Sequence, residues 1–583
     1  MQSDEEVVVQ KTFNLSFHNI SYRSKKKDGS VNVILNNVSG SFNSGQMACI
    51  LGPSGAGKSS FLNVLSGYRK SGVSGQLRID GSILSSRHKR KLISYTPQEA
   101  SLWMNLTVDE SINFAADFKL PATVPKETKR AGNRKLLEVL GLDKCSNTLV
   151  KNLSGGEMKR LAIGVELVSD PRVMLLDEPT SGLDTVTSYQ VLSYVQSLAF
   201  VQNRVIICVV HQPSSNLLRL FDGALVLSKG RGLYCGPLTD MISTFGTVGL
   251  ECPVSHSPAD FALEVACLDH EDDRLQQLLA NEEEKPLKIC TESRISSDPE
   301  DQRTYMLSTR QQLAVLLKRT IRCTLRDNYN VKARTIISVL IAILTGIAFY
   351  DTGNNVAKIL SNTSVLLVVV YSVYFTCAFS AILTFPLESS VFIREHKNNW
   401  YSLSPYYFSK LLVEAPALIL STTAAFLIMY FLTGQPFEIR RLLALWITSI
   451  ISGWVALLLG LLMGNMYPMK TSVFLTILVI IPGSLFSGFF VTLKDMPPHM
   501  KPLTFVSFVR YSMEGAVNAI YGFDRKDMEC RDVFCYFTLR KFLAFLGMPE
   551  LQWIYDILGL VVWSLILQLV LYVSLLKRTK RDA

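Results

Sequence analysis

The chain has 583 residues, 48% of them apolar and only 19% charged, with a formal net charge of +10. A soluble domain carries about a quarter charged residues, so this balance excludes a disordered chain, an ordinary cytosolic enzyme and a small disulfide scaffold. The length allows about three to five domains, and the meaning of the charge depends on where the apolar excess lies.

The chain opens Met1-Gln2-Ser3-Asp4-Glu5-Glu6, with no basic stretch leading into an apolar one, so no cleavable leader is expected. Residues 47–51 (MACIL) read as a short buried strand and residues 60–65 as the first turns of a helix. Between them Gly52, Pro53, Ser54, Gly55, Ala56, Gly57, Lys58 and Ser59 match G-x-x-x-x-G-K-[ST], with Ser60 next. In that pattern the turn's amides face the phosphates of ATP, the helix N-terminus adds a positive dipole, Lys58 reaches the outer phosphates and the Ser59 hydroxyl ligates Mg²⁺. Leu153-Ser154-Gly155-Gly156-Glu157 opens a helical stretch reaching Val168. Ser154 with Glu157 is a capping box, and two glycines at a helix N-terminus also suit an anion. Residues 173–176 form a strand that delivers Asp177 and Glu178, the first suited to Mg²⁺ and the second to activating a water. His211 follows the apolar run 205–210, where a structural histidine is the bland reading.

Residues 269–303 are acidic and polar and read as a linker. Over 304–330, Leu313, Leu316, Leu317, Ile321 and Leu325 recur at helical spacing with basic residues opposite, an amphipathic connecting helix. Runs free of Asp, Glu, Lys and Arg then cover 335–350, 359–387, 415–437, 442–469, 471–493 and 557–576. About 20 apolar residues cross a bilayer, so six spans are expected at about 331–350, 362–385, 408–433, 441–464, 471–493 and 555–576. Lys332 and Arg334 snorkel to lengthen the first.

The basic flanks 318–334, 394–410 and 577–581 place both termini in the cytosol, while Arg440 and Arg441 vote weakly the other way. Much of the +10 is therefore topological, and no nucleic-acid partner is expected. Residues 494–552 form an outward loop, where Cys530 and Cys535 are expected to pair as a disulfide. Asn362 opens an outward Asn-Thr-Ser sequon at the mouth of a span.

Taken in order, the segment 52–59, Gln98, the segment 153–157, Asp177-Glu178, Ser181-Gly182-Leu183-Asp184 and His211 resemble the nucleotide-binding domain of ATP-binding-cassette transporters. A nucleotide domain placed before six spans resembles subfamily G, the White and breast-cancer-resistance group. Ser257-Pro258-Ala259-Asp260-Phe261 is similar to that group's Asn-Pro-Ala-Asp-Phe, with Ser for Asn. Residues 384–388 and 392–401 look most like the sterol-handling branch. The resemblance implies an α/β P-loop domain over 1–268, a RecA-like core with antiparallel β and helical subdomains, followed by an all-α six-helix transmembrane domain over 331–583.

By the same resemblance Glu178 polarises the water, His211 contacts the γ-phosphate, and Gln98 senses that phosphate and joins Ser59 and Asp177 at Mg²⁺. Ser154, Gly155, Gly156, Glu157 and Asp184 complete an ATP site on a second chain. One set of motifs then implies a half-transporter, pairing with itself or with a related chain. Tyr22 either stacks on adenine or packs in the core. The loop 388–401 is expected to dock near residues 258–261.

Aromatic residues concentrate in the spans, and Phe375 and Phe379 fall at substrate contacts on the dimer axis by resemblance, with Phe489 and Phe490 at an outward plug. Ionisable groups inside spans mark ion paths, and none sits mid-span, with Glu414 the nearest. The expected activity is ATP-driven export of a sterol, phospholipid or other lipophilic compound, across the plasma membrane or a vesicle membrane. The alternatives are a membrane-tethered ATPase in signalling and a loader of pigment precursors into vesicles.

Overall fold

The computed structural model describes residues 12–25, 30–85, 89, 92–99, 101–253, 256–268, 272–284, 305–327, 330–492, 495–523, 525, 528, 539–547 and 553–581. It divides into two compact units, Met1–Val315 with Arg394–Ser402 and Arg581–Ala583, and Leu316–Ile393 with Leu403–Lys580.

In the first unit β1 (Asn14–Lys25) and β2 (Val31–Asn43) form an antiparallel sheet with two later strands, and β3 (Met47–Leu51) begins a second sheet. The later strands are β4 (Val73–Ile79), β5 (Ser82–Ile83), β6 (Ile93–Thr96), β7 (Val173–Asp177), β8 (Val205–Val209), β9 (Gly223–Ser228) and β10 (Arg231–Pro237). The sheet orders are β2-β1-β4-β5 and β10-β9-β3-β8-β7-β6. The second sheet is parallel except for β10. Every residue of β3, β7 and β8 is buried, as expected of parallel strands covered on both faces. Because β8 lies between β3 and β7, the strands that end at Leu51 and Asp177 flank one crevice at their carboxyl ends.

Both sheets share a core in which the Phe17 ring meets Phe42 at 6.0 Å and Phe61 at 5.2 Å. Tyr22 is part of this core and is 8% exposed, so it packs, and its ring is not an open platform for a base.

The helices of this unit are α1 (Lys58–Leu65), α2 (Val108–Lys119), α3 (Lys126–Val139), α4 (Gly155–Leu167), α5 (Thr185–Val201), α6 (Ser215–Leu218), α7 (Met241–Gly246), α8 (Pro258–Cys267) and α9 (Asp273–Glu284), and α10 (Thr309–Arg326) crosses the boundary between the units. Two expectations change here. Residues 273–284, read as linker, form α9, because Leu275, Leu278 and Leu279 share a face and are buried. On α10 the buried line runs through Gln312, Leu316, Arg319 and Cys323, while Ile321 and Leu325 are exposed.

The second unit holds α11 (Asn330–Ala348), α12 (Ile359–Lys397), α13 (Leu403–Leu432), α14 (Ile439–Met466), α15 (Met469–Leu485), α16 (Lys501–Val506), α17 (Phe508–Tyr521), α18 (Leu539–Leu546) and α19 (Trp553–Arg581). Among the described residues five helices, α11 to α14 and α19, are long and apolar enough to cross a membrane, and α15 is shorter at 17 residues. The expected fifth span, 471–493, thus ends as a helix at Leu485, before a turn in which Gly488 takes a left-handed φ of 82°. α12 and α14 approach closely, since a Cβ on Gly460 would lie 2.4 Å from the Ala378 carbonyl oxygen.

The segment 494–552, read as an outward loop, contains three helices in its described parts. Almost all of α17 is buried, packed against α14 and α15. Ser507 caps it by accepting from the Arg510 amide and pins it by donating to the Gly483 carbonyl at 2.7 Å. Arg441 closes its other end, donating to the carbonyls of Ile520 at 3.0 Å and Gly522 at 2.5 Å.

Asn362 is buried and its amide nitrogen donates to the Tyr521 hydroxyl at 2.8 Å, so it is no open glycan acceptor in the fold. Cys530 and Cys535 lie outside the described residues.

Candidate functional site

The ATP site begins where β3 delivers the chain to Gly52. Its φ of 152° and the Leu227 carbonyl oxygen, 2.4 Å from where a Cβ would stand, leave room for glycine only. The turn then enters α1, whose first residues are Lys58 and Ser59. Lys58 is buried and folds back, donating to the carbonyls of Gly52 at 2.7 Å and Pro53 at 2.9 Å. Burial pulls its ammonium below the ordinary lysine range, and the charges of Glu178 and Asp177 oppose that shift.

Across β8, the end of β7 places Asp177 at this loop. Its Oδ1 accepts from the Ser59 hydroxyl at 3.1 Å and its Oδ2 from the Tyr95 hydroxyl at 3.1 Å. Burial raises the Asp177 carboxyl above the usual carboxylate range, while the two hydroxyl donors hold it down. A serine hydroxyl and a carboxylate oxygen in contact are a hard-oxygen pair. Such a pair suits Mg²⁺, which takes one or two protein oxygens and completes its shell with phosphate and water.

Glu178 leaves the strand in left-handed backbone, φ 48°, and its amide donates to the Val209 carbonyl at 3.1 Å. Its Oε2 accepts from Gln98 Nε2 at 2.6 Å. The structure thus seats Gln98 on Glu178, and the Gln98 carbonyl in turn accepts from Lys159 Nζ at 2.5 Å. Burial lowers the Lys159 ammonium, and the nearby Glu178, Asp177 and Glu99 charges push it back up. His211 follows β8 and is exposed.

Ser154 and Glu157 form the capping box at the start of α4. The Glu157 amide donates to the Ser154 hydroxyl at 3.3 Å, and the Ser154 amide donates to the Glu157 carboxylate at 2.9 Å. Around the two glycines of that turn the nearest side chains are Leu183 and Thr187, at the start of α5. Asp184 caps α5 by accepting from the Thr187 amide at 3.1 Å, and that bond holds its carboxyl below the usual range. Of the residues expected from sequence, Lys58, Ser59, Gln98, Asp177 and Glu178 therefore meet in one cluster. Ser154, Gly155, Gly156, Glu157 and Asp184 gather in another, around the first turns of α4 and α5.

The segment Arg394–Ser402 belongs to the first unit. Its described contacts differ from the expected docking near residues 258–261. Trp103 Nε1 donates to Glu395 at 3.2 Å, and the Phe118 ring lies 6.0 Å from Trp400 and 5.1 Å from Tyr401. Two adjacent rings need an apolar seat, which α2 supplies, whereas Phe261 is engaged with Phe245 at 6.2 Å. Sequence reasoning missed Tyr68, Tyr95, Trp103 and Lys159. Only the strand-forming run Ile93-Ser94-Tyr95-Thr96, which enters Gln98, could have drawn attention to Tyr95.

In the second unit Tyr371, Phe375 and Phe379 form a half-buried strip on α12, with ring centroids 6.1 and 5.5 Å apart. Tyr374 points elsewhere, fully buried with its hydroxyl 2.8 Å from that of Ser512. Phe489 and Phe490 meet edge to face at 5.3 Å, and Phe490 is exposed. The charges at the span ends are buried in pairs. Lys410 Nζ contacts Glu388 at 2.6 Å and Glu414 at 2.9 Å, and Arg334 lies 3.8 Å from Glu414.

Two family models match the chain, one described as ABC transporter over residues 35–181 and one as ABC-2 type transporter over residues 311–521. The broad substrate specificity ATP-binding cassette transporter ABCG2 of Bos taurus is 31% identical over 549 residues, 85% of this chain and 83% of that protein. Protein white of Drosophila melanogaster is 27% identical over 577 residues, 94% of this chain and 84% of that protein. A solved dimer of the ATP-binding cassette MJ0796, in a post-hydrolysis state bound to ADP and Pi, is 25% identical and covers 38% of this chain and 98% of that chain, with a TM-score of 0.35.

Proposed function

Because the chain belongs to subfamily G of the ATP-binding-cassette transporters, and so is a multi-pass membrane protein that couples ATP hydrolysis to export, we propose that its cargo is a sterol, a phospholipid or another lipophilic compound. The observation that carries this reading is the aromatic strip Tyr371, Phe375 and Phe379, half-buried on a span whose neighbouring charges are paired off. Such a surface offers an apolar molecule ring faces to pack on and offers an ion little to bind. The relative whose name states broad substrate specificity fits a cargo chosen by apolar character. Phe489 and Phe490 act as the outward plug.

In the ATP site Ser59 and Asp177 hold Mg²⁺, Lys58 holds the outer phosphates, Gln98 follows the γ-phosphate and Glu178 polarises the attacking water, with His211 on the γ-phosphate. Mg²⁺ bound with ATP neutralises charge on the transferring phosphoryl group, and positioning by the protein does most of the rest. Two chains, identical or related, complete two sites, each joining the Lys58 cluster of one to Ser154, Gly155, Gly156, Glu157 and Asp184 of the other. What supports this is that the chain carries one copy of each motif, with both halves of a site intact. Both termini lie in the cytosol, and the plasma membrane is the proposed location.

The test is ATP hydrolysis by the purified protein against a panel of sterols, phospholipids and hydrophilic ions. Lipophilic members are expected to stimulate turnover. Stimulation confined to the hydrophilic members would overturn the reading.

A further inference from the structure

Asn398 lies in the segment that joins α12 to α13, and both ends of its amide are bound within the nucleotide unit. Its Nδ2 donates to the Tyr95 carbonyl at 3.2 Å, and its Oδ1 accepts from the Tyr68 hydroxyl at 2.6 Å. The two tyrosine rings meet edge to face, centroids 4.8 Å apart, and are 8% and 4% exposed. Lys397 Nζ sits 5.0 Å over the Tyr68 ring, fixing the same contact from the next residue.

Each tyrosine leads to one of the two oxygens assigned to Mg²⁺. Tyr68 follows α1, the helix whose first turn carries Ser59. Tyr95 sits in β6, paired with β7, and its hydroxyl donates to Asp177 Oδ2 at 3.1 Å. Asn398 therefore bridges the turn that follows α1, the helix that begins with Lys58 and Ser59, and the residue whose hydroxyl bonds the Asp177 carboxylate. Tyr68 and Tyr95 are buried and Asn398 is bonded at both ends of its amide.

We propose that Asn398, acting through Tyr68 and Tyr95, is a positioning residue for the metal half of the ATP site. It ties metal binding to the segment between two membrane helices by a route separate from Gln98, which contacts Glu178. The bland alternative is that these groups only satisfy one another's hydrogen bonds in a packed interior. The inference rests on the reading that Asp177 faces Mg²⁺ and holds whatever the cargo is.

The test uses the full-length protein with Glu178→Gln to stop turnover, and Mn²⁺ with ATP as a paramagnetic stand-in whose binding is followed by electron paramagnetic resonance. Asn398→Ala and Tyr95→Phe are each expected to raise the half-saturating Mn²⁺ concentration about three- to tenfold, the worth of one net hydrogen bond. The double variant is expected to fall well short of the product of the two, because both act on one path. Tyr68→Phe deletes only a hydroxyl and is expected to raise it about two- to fivefold, which keeps the test alive if Asn398→Ala does not fold. Rescue by Asn398→Gln in part of that loss would support the same path.

Wild-type Mn²⁺ affinity in both Asn398→Ala and Tyr68→Phe, with Asp177→Asn abolishing Mn²⁺ binding, would overturn the inference alone. Unchanged Mn²⁺ binding in Asp177→Asn would overturn the assignment of Asp177 and the inference with it.

Discussion

The two units bury charge in different ways. In the nucleotide unit two of the groups given chemical work have neutral partners: the half-buried Glu178 carboxylate accepts from an exposed Gln98, and Lys58 donates to two carbonyls of its own loop. In the membrane unit the buried charges Lys410, Glu414 and Arg441 sit in ion pairs. Lys410 is shared by Glu388 and Glu414, and Arg441 is spent on Glu438 and the end of α17. Opposite charge offsets the desolvation of these buried groups in the apolar unit, whereas Glu178 and Lys58 are held by neutral amide and carbonyl groups.

The contrast can be broken at several points. Glu178→Gln is expected to lower hydrolysis about 10²- to 10⁴-fold while ATP binding persists, the usual worth of a positioned base. Unchanged hydrolysis would mean that Glu178 has no such role.

Next in size are the buried lysines. Lys119 donates to Glu166 at 2.5 Å, both nearly inaccessible. Lys119→Met strands that carboxylate and is expected to cost the nucleotide unit about 3–5 kcal/mol. Lys410→Met strands Glu388 and leaves Glu414 with Arg334 at 3.8 Å, and is expected to cost the membrane unit about 3–5 kcal/mol. Thermal unfolding of each variant, with Lys119→Met combined with Glu166→Leu as the repair, separates lost pairing from lost volume. Full stability in Lys119→Met would show the pair to be dispensable.

A smaller effect is expected at the cargo strip. Phe375→Ala should raise the cargo concentration for half-stimulated hydrolysis about two- to tenfold, from a ring contact worth about 0.5–1.5 kcal/mol, with basal turnover unchanged. An unaltered cargo response would detach the strip from the cargo. Smallest is Ser154→Ala, which deletes one cap of α4 at a cost of about 1 kcal/mol. Faster amide exchange at Glu157 is the readout, and unchanged exchange would show the cap to be idle.

The same contrast explains what the sequence discloses. The ATP site was legible because its atoms must sit at fixed offsets: the turn into Lys58, the strand into Asp177 and the cap at Ser154 all fold as their spacing predicts. The aromatic strip proposed for cargo was only partly legible, since any aromatic in a span reads alike, and the structure alone separates buried Tyr374 from half-buried Phe375. Helix α17 escaped because hydropathy stops at Arg510 and Glu514, whose charges pair with each other at 3.1 Å. The Asn398 bridge escaped for a different reason, as its partners lie 303 and 330 residues away and neither end is unusual locally.

The most direct measurement reconstitutes the purified protein in sealed vesicles with labelled sterol or phospholipid and compares ATP with no nucleotide, using Glu178→Gln as the control. ATP-dependent movement of the label, absent in Glu178→Gln, is the result expected of a lipophilic exporter. Sustained hydrolysis with no movement of any lipophilic label would contradict it.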